Sequence, residues 1–490
     1  MIPGEQHEIA GFLSGLSGGP PTETHISAVF IGADTVWKLK KAVRMPFLDF
    51  SKSQAREHFL RRELTLNKPA APAIYRDVVA ISRRSDGTLE LGGDNPVDWV
   101  LRMAPVPPGD FLDRIASAGK LTPALLDAIG DCVAAYHTRL PPVENHDSIA
   151  SLLRITEGNV QSALAAGLPR AEVEAWRRSM VSSIEACRDW LAERAATGNV
   201  RRCHGDLHLG NLCLWQGKPV PFDALEFDEA LATIDIGYDL AFLLMDLDLR
   251  VGRAAANRVM NRYVARTGDL PMRGFPVFLS QRAMIRAHVN KATNQDADAY
   301  LAAAQAYLRP APPVVIAIGG LQGTGKTTLA RALAPELGPA PGALVLRSDE
   351  IRKRLHHVNP EDRLGSQAYT DAANAETNRA VIQLACSAAR SRHAVIADTT
   401  FLDLAVRRSL EDTVRQVGVP FLGAWLEAPL EVLEARIGAR HGDASDATVA
   451  VLRAAARSDP GAGDWMSVDA VDAVQAQDHL RQAVRGLSKD

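Results

Sequence analysis

The sequence predicts two dissimilar folds in tandem: an N-terminal α+β region, then a C-terminal α/β region built on a parallel sheet. Three observations predict this. Short β-branched and aromatic runs precede long helical stretches in residues 1–307, the order of an α+β domain. Strand and helix patterns alternate after residue 313, as in parallel strands joined by helices. Between them, Leu308–Pro313 (LRPAPP) places three prolines in six residues and reads as a stiff linker. The expected domains are 1–307 and 314–490, joined by 308–313.

The elements follow in order. THISAVFI (24–31) and TVWKL (35–39) read as strands, and SKSQAREHFLRRELTLN (51–67) as a helix. Residues 78–81 and 97–101 read as further strands, and 110–200 as helical. Short strands and turns return at 199–225, and 233–307 is helical again. In the C-terminal region, strand 314–318 precedes a Gly-rich loop and a helix reaching Leu337, capped by Gly338. Strands 344–347, 394–397 and 421–426 alternate with helices 349–356, 376–390 and 430–440.

Composition bounds the function. A length of 490 residues allows about three domains or lobes. With 47% hydrophobic and 23% charged residues, the chain is of the globular class. A net charge of -3 speaks against a nucleic-acid binder that works through a strong positive field. Five scattered cysteines without a CxxC pair fit a reducing compartment. No secretory signal and no long apolar run is visible. The expectation is a cytoplasmic protein with no membrane partner. Only 11 of the 55 basic residues are lysines, which makes each lysine informative.

Gly320-Leu-Gln-Gly323-Thr-Gly325-Lys326-Thr327 satisfies G-x-x-x-x-G-K-[ST] between a strand and a helix. Glycines there let backbone N–H groups surround phosphates, and the helix N-terminus adds partial positive charge. Lys326 is placed on the β- and γ-phosphates of ATP, Thr327 on Mg²⁺, and Thr328 in the same nucleotide-binding set. Asp349 follows the second strand, where open α/β sheets bind ligands. It is the candidate acceptor of a substrate hydroxyl proton, with Arg352 for an anionic group. The alternative for Ser348-Asp349 is a helix cap. Asp398 ends an apolar strand and is a second candidate Mg²⁺ ligand. Arg436 and Arg440, four apart, are expected to cover the transferring phosphate or to form a solvated face.

His204-Gly205-Asp206-Leu207-His208-Leu209-Gly210-Asn211 sets an Asp and an Asn five apart, and Asp223 follows twelve residues later. Kinases use this order for a base, a metal-binding Asn and a metal-binding Asp. Asp206 must face a hydroxyl, while Asn211 and Asp223 must meet across a hairpin to hold Mg²⁺ through oxygen. The alternative is a metal-hydrolase cluster of His204, Asp206, His208 and Asp223, although no HxH or HExxH spacing occurs. Lys38 and Lys40 share one face of their strand. Lys38 is the candidate phosphate lysine, with Lys40 close behind it, and Glu63 is the candidate ion-pair partner; the alternative for Lys40 and Lys41 is a solvated strand end.

HGDLHLGN, FDALEFD and Asp235-Ile-Gly-Tyr-Asp239-Leu-Ala resemble the aminoglycoside phosphotransferase and choline-kinase-like family over about 20–250. That resemblance implies a protein-kinase-like fold, with Asp206 as base, Asn211 and Asp223 on Mg²⁺, and Asp239 and His204 bracing the loop. Residues 314–445 resemble small P-loop kinases of the zeta-toxin and gluconate-kinase-like group. With THISAVFIG, KLKKAVRMPFLDFS and SDEIRKRL, the whole chain is similar to bacterial fusions of these two domains. The implied function is a tandem ATP- and Mg²⁺-dependent phosphotransferase acting on small-molecule hydroxyls. The rivals are one active kinase beside an ATP sensor, and a P-loop domain acting as a toxin-like or nucleic-acid 5′-end kinase.

Overall fold

The structure is a computed structural model and describes residues 1–45, 48–439 and 445–487. The chain forms two compact units. One gathers 1–121, 135–146 and 194–240; the other gathers 122–134, 147–193 and 241–490.

The first unit is built on a six-stranded antiparallel sheet in the order Thr22–Glu23, Ser27–Ile31, Val36–Lys40, Pro96–Met103, Tyr75–Arg83, Leu89–Leu91. Alternation divides its side chains between two faces. Ala28, Phe30, Leu39 and Val100 pack with Ile9 and Leu13 of a helix at His7–Ser17, which the sequence reading did not identify. On the other face, Leu101 and Tyr75 pack with Leu60 of helix Ser53–Asn67. Lys38 pairs with Leu101 across strands, so Lys38 and Lys40 point toward that helix. Strands Leu212–Trp215 and Lys218–Pro221 form a hairpin turning at Gln216 (φ 51°) and Gly217 (φ 76°). Two positive φ angles there give the turn that matches strand twist.

The second unit contains a five-stranded, all-parallel sheet in the order Leu344–Arg347, Val395–Asp398, Val315–Gly320, Phe421–Glu427, Met466–Asp469. Helices Lys326–Leu333 and Ala473–Leu487 bury Leu329, Leu333 and Leu480 against Ile316, Ile396 and Leu426. The strand Met466–Asp469 and the last helix were not identified from sequence. The helix expected to reach Leu337 stops at Leu333. Pro335 lacks an amide hydrogen and turns the chain into the 3-10 segment Ala334–Glu336. The same unit includes helices Ser148–Ala165, Arg170–Ala186, Arg253–Thr267, Phe275–Ala292 and Asp298–Tyr307.

Candidate active sites

Four remote segments of the first unit meet around Lys38. Its Nζ lies 2.6 Å from Glu63 Oε1 and 2.6 Å from Asp223 Oδ1. Asp223 sits at φ 61°, and its N–H donates to the Tyr75 hydroxyl at 2.9 Å. The next amide, Ala224 N–H, donates to Asn67 Oδ1 at 2.8 Å. The helix bearing Glu63 therefore also anchors the segment bearing Asp223. The hairpin register pairs Leu212 with Pro221, and Phe222 N–H donates to Asn211 C=O at 3.1 Å. Asn211 and Asp223 thus emerge from the same end of the hairpin. Asn211 Nδ2 donates to Asp206 Oδ2 at 3.0 Å, which leaves its amide oxygen to face a cation.

The loop around Asp206 is held by buried groups. Asp239 accepts from His204 N–H at 3.1 Å and Gly205 N–H at 2.9 Å, and lies 3.1 Å from His137 Nε2. His204 Nε2 donates to Phe222 C=O at 2.9 Å, while its Nδ1 accepts from Asp206 N–H at 3.3 Å. Those two bonds fix the tautomer. Burial pushes the His204 pKa down, against Asp239 and Asp206, so the ring is neutral at pH 7. The carboxylate of Asp206 is 43% exposed, open to an incoming hydroxyl.

Lys40 is not a solvated strand end. It is fully buried, 2.8 Å from Glu63 Oε2 and 2.5 Å from Glu226 Oε1. Glu63 therefore bridges two lysines, and Glu226 is a member of the site that sequence reading missed. Its only sequence signal is its place in FDALEFD, three residues after Asp223. Burial and Glu63 push the Glu226 pKa up despite Lys40. Desolvation pushes Asp223 up too, but Lys38 outweighs it and the net shift is downward. Lys41 is also buried, donating to Thr24 C=O and pairing with Glu23.

In the second unit the loop after strand Val315–Gly320 divides two cavities. Gly323, Gly325 and Thr328 line both. The larger, about 1560 Å³, also receives Lys326, Thr327, Asp349 and Asp398. Gly320 stands at φ 131°, where a Cβ would lie 2.5 Å from Leu426 C=O. Gly323 stands at φ 87°, with Leu433 C=O 2.8 Å from a would-be Cβ. Only glycine permits that loop path. Lys326 Nζ donates to Gly320 and Leu321 carbonyls at 2.9 and 2.8 Å. Thr327 Oγ1 donates to Asp398 Oδ2 at 2.6 Å. A hydroxyl and a carboxylate side by side at a helix N-terminus suit Mg²⁺, which takes few protein oxygens and completes its shell with phosphate and water.

Asp349 is the second residue of helix Ser348–Leu355, whose cap is Arg347, so it is not a cap. Burial pushes its pKa up; Arg347 opposes this and Asp398 adds to it. Arg352 donates to Ala368 C=O at 2.7 Å and lies 4.9 Å from the Tyr369 ring centroid. Its Nε is buried without a hydrogen-bond partner. Arg436 differs from expectation. It does not reach the larger cavity but lines the smaller one, about 450 Å³. Its guanidinium donates to Ala470 and Val471 carbonyls, both at 3.0 Å. Helix Leu430–Gly438 turns it toward the far side of the loop. Arg440 lies outside the described residues.

The phosphotransferase enzyme family matches residues 98–275, and an AAA domain family matches residues 315–458. The chain is similar to uncharacterized protein Rv2004c of Mycobacterium tuberculosis (strain ATCC 25618 / H37Rv), at 28% identity over 471 residues. That covers 92% of this chain and 91% of the relative. The adenylyl-sulfate kinase of Myxococcus xanthus is 30% identical over 122 residues, 25% of this chain and 62% of that one. A gluconokinase structure from Sinorhizobium meliloti 1021 covers 37% of this chain and 94% of its own, at 20% identity and TM-score 0.26. The aminoglycoside phosphotransferase APH(3'')-Id from Streptomyces rimosus covers 60% and 99%, at 20% identity and TM-score 0.37. One polypeptide thus carries a match to the phosphotransferase enzyme family, at 98–275, and a match to an AAA domain family, at 315–458.

Proposed function

We propose that each half transfers the γ-phosphoryl group of ATP to a hydroxyl of a small molecule. The observation that carries this reading is the meeting of the Asp206–Asn211–Asp223 loop and hairpin with Lys38, which bonds to Asp223 from 185 residues away in sequence. A second grouping, of Lys326, Thr327, Asp349 and Asp398, lines one cavity in the other unit. In the first site Asp206 takes the hydroxyl proton as the hydroxyl oxygen bonds to the γ-phosphorus and the bond to the ADP oxygen breaks. Lys38, positioned by Glu63, faces the phosphates. Asn211 and Asp223 are the residues suited to hold Mg²⁺. In the second site Asp349 accepts the proton, Lys326 faces the phosphates, and Thr327 and Asp398 are suited to hold Mg²⁺. Bound Mg²⁺ supplies charge neutralisation on the phosphate oxygens. Positioning and charge complementarity supply most of the rate. The second acceptor is proposed to carry an anionic group, met by the unpartnered Nε of Arg352. No helix among the described residues is long and apolar enough to cross a membrane. The proposed cytoplasmic setting rests on the cysteines, five in number and none in a disulfide.

The test is transfer of labelled γ-phosphate across sugars, sugar acids, adenylyl sulfate, aminoglycosides and 5′-hydroxyl oligonucleotides. Asp206→Asn is expected to lower first-site transfer by about 10²-fold or more while ATP still binds. Lys326→Ala is expected to remove second-site transfer alone. Transfer retained in both variants would reject the assignment. ATP binding without transfer at one site would make that site a sensor.

A further inference from the structure

The cavity beside Lys326 is not lined by the P-loop domain alone. Asp127 and Asp131 of helix Pro123–Arg139 reach it, as do Arg258, Arg262 and Arg266 of helix Arg253–Thr267. All five residues fall within the 98–275 match. Spacing of four residues sets each row on one helix face. Arg258 grips Asp127 through two bonds of 2.7 and 2.5 Å. Arg262 and Arg266 both grip Asp131, at 2.5 to 3.0 Å.

The last two arginines also reach into the P-loop domain. Arg262 Nη2 donates to Glu361 Oε1, and Arg266 Nη2 to Glu361 Oε2 at 3.1 Å. Arg266 Nη1 donates to Asn359 Oδ1 at 3.1 Å. Glu361 lies on the segment between helix Ser348–Leu355, which bears Asp349 and Arg352, and the turn Ser366–Tyr369. Lys353, 1% exposed, holds the same segment by donating to Pro360 C=O at 2.9 Å. At its far end, Ala368 accepts from Arg352 and Tyr369 lies against the Arg352 guanidinium.

We infer that Arg262 and Arg266 are positioning residues for the acceptor side of the P-loop site. By fixing Glu361 and Asn359 they set the path of residues 356–369, and that path sets where Arg352 and Tyr369 point. The acceptor site is then composite, with one wall and its clamp supplied by the region matched to the other family. This rests on reading the cavity as a phosphoryl-transfer site.

The experiment uses the full chain with ADP and Mg²⁺ present, so that the phosphate loop is occupied. Two quantities are read: hydrogen exchange over 356–369, and binding of inorganic sulfate as the anion probe. Glu361→Gln, and separately Arg262→Ala with Arg266→Ala, are expected to speed that exchange and weaken sulfate, each by about tenfold. ADP affinity is expected to hold within about twofold. Combining all three substitutions is expected to add nothing to the double arginine variant, which already removes the bonds to Glu361 together with the Arg266–Asn359 bond. Unchanged exchange, unchanged sulfate affinity, or effects that simply add would overturn the inference. So would sulfate binding that survives Arg352→Ala undiminished. Neither readout requires transfer, so failure of the transfer reading shows separately, as absence of any Lys326-dependent product.

Discussion

Asp349 is under opposing influences: burial and the neighbouring Asp398 disfavour its charge, while Arg347 favours it. The net shift is upward from the ordinary 3.8. A base must be ionised to accept a proton, so second-site transfer should rise with pH through that raised value. On acidification, kcat/KM should therefore begin to fall above the ordinary Asp range. Arg347→Met removes the favouring charge and should move this acid limb to still higher pH. A limb at or below 3.8 in the pH–rate profile would contradict the assignment of Asp349 as base. Residue types at this scale were largely legible, because Asp349, Asp398 and Lys326 sit at strand ends or in a Gly-rich loop. The buried pairing of Lys40 with Glu63 and Glu226 was not. Those partners lie 23 and 186 residues away from Lys40, and no local pattern reports a pairing of that range.

The strand Val315–Gly320 and helix Lys326–Leu333 show what the intervening loop demands. Gly320 pairs with Leu426, whose carbonyl occupies the space a side chain would take. Gly320→Ala combines that clash with a strained φ and should cost about 2 kcal/mol or more. Urea unfolding measures this, and an unchanged midpoint would contradict it. The parallel sheet was legible because its central strands are continuous apolar runs, as burial on both faces requires. Strand Met466–Asp469 was not, since only Val468 within it is buried. Helix His7–Ser17 hid for a related reason. Gly11 and Gly15 dilute its pattern, and only Ile9 and Leu13 are buried.

Across the second unit, helix Arg253–Thr267 is joined to the parallel sheet by side-chain amides. Asn257 Nδ2 donates to Ala343 C=O at 2.9 Å, and Asn261 Oδ1 accepts from Val345 N–H at 2.7 Å. Asn261→Ala leaves that amide without its partner and should cost about 1–3 kcal/mol, read by thermal or urea unfolding. A loss below about 0.5 kcal/mol would show that water replaces the bond. Nothing in the sequence announced these pairings. Spacing places side chains on a helix face but does not say what the face meets. Proline content marked 308–313 as a junction, yet the helix before it bonds directly to the sheet after it.

The strand those asparagines engage, Leu344–Arg347, is the outermost of its sheet. An open edge strand is a template on which another chain can add its own strand. Asn257 and Asn261 occupy the carbonyl and amide that such an intruder would need first. Severing the chain at 308–313 would strip both asparagines away and leave the edge bare. The P-loop half released alone would then be prone to stack edge to edge. Residues 314–490 expressed alone are therefore expected to self-associate where the full chain does not, as light scattering would read.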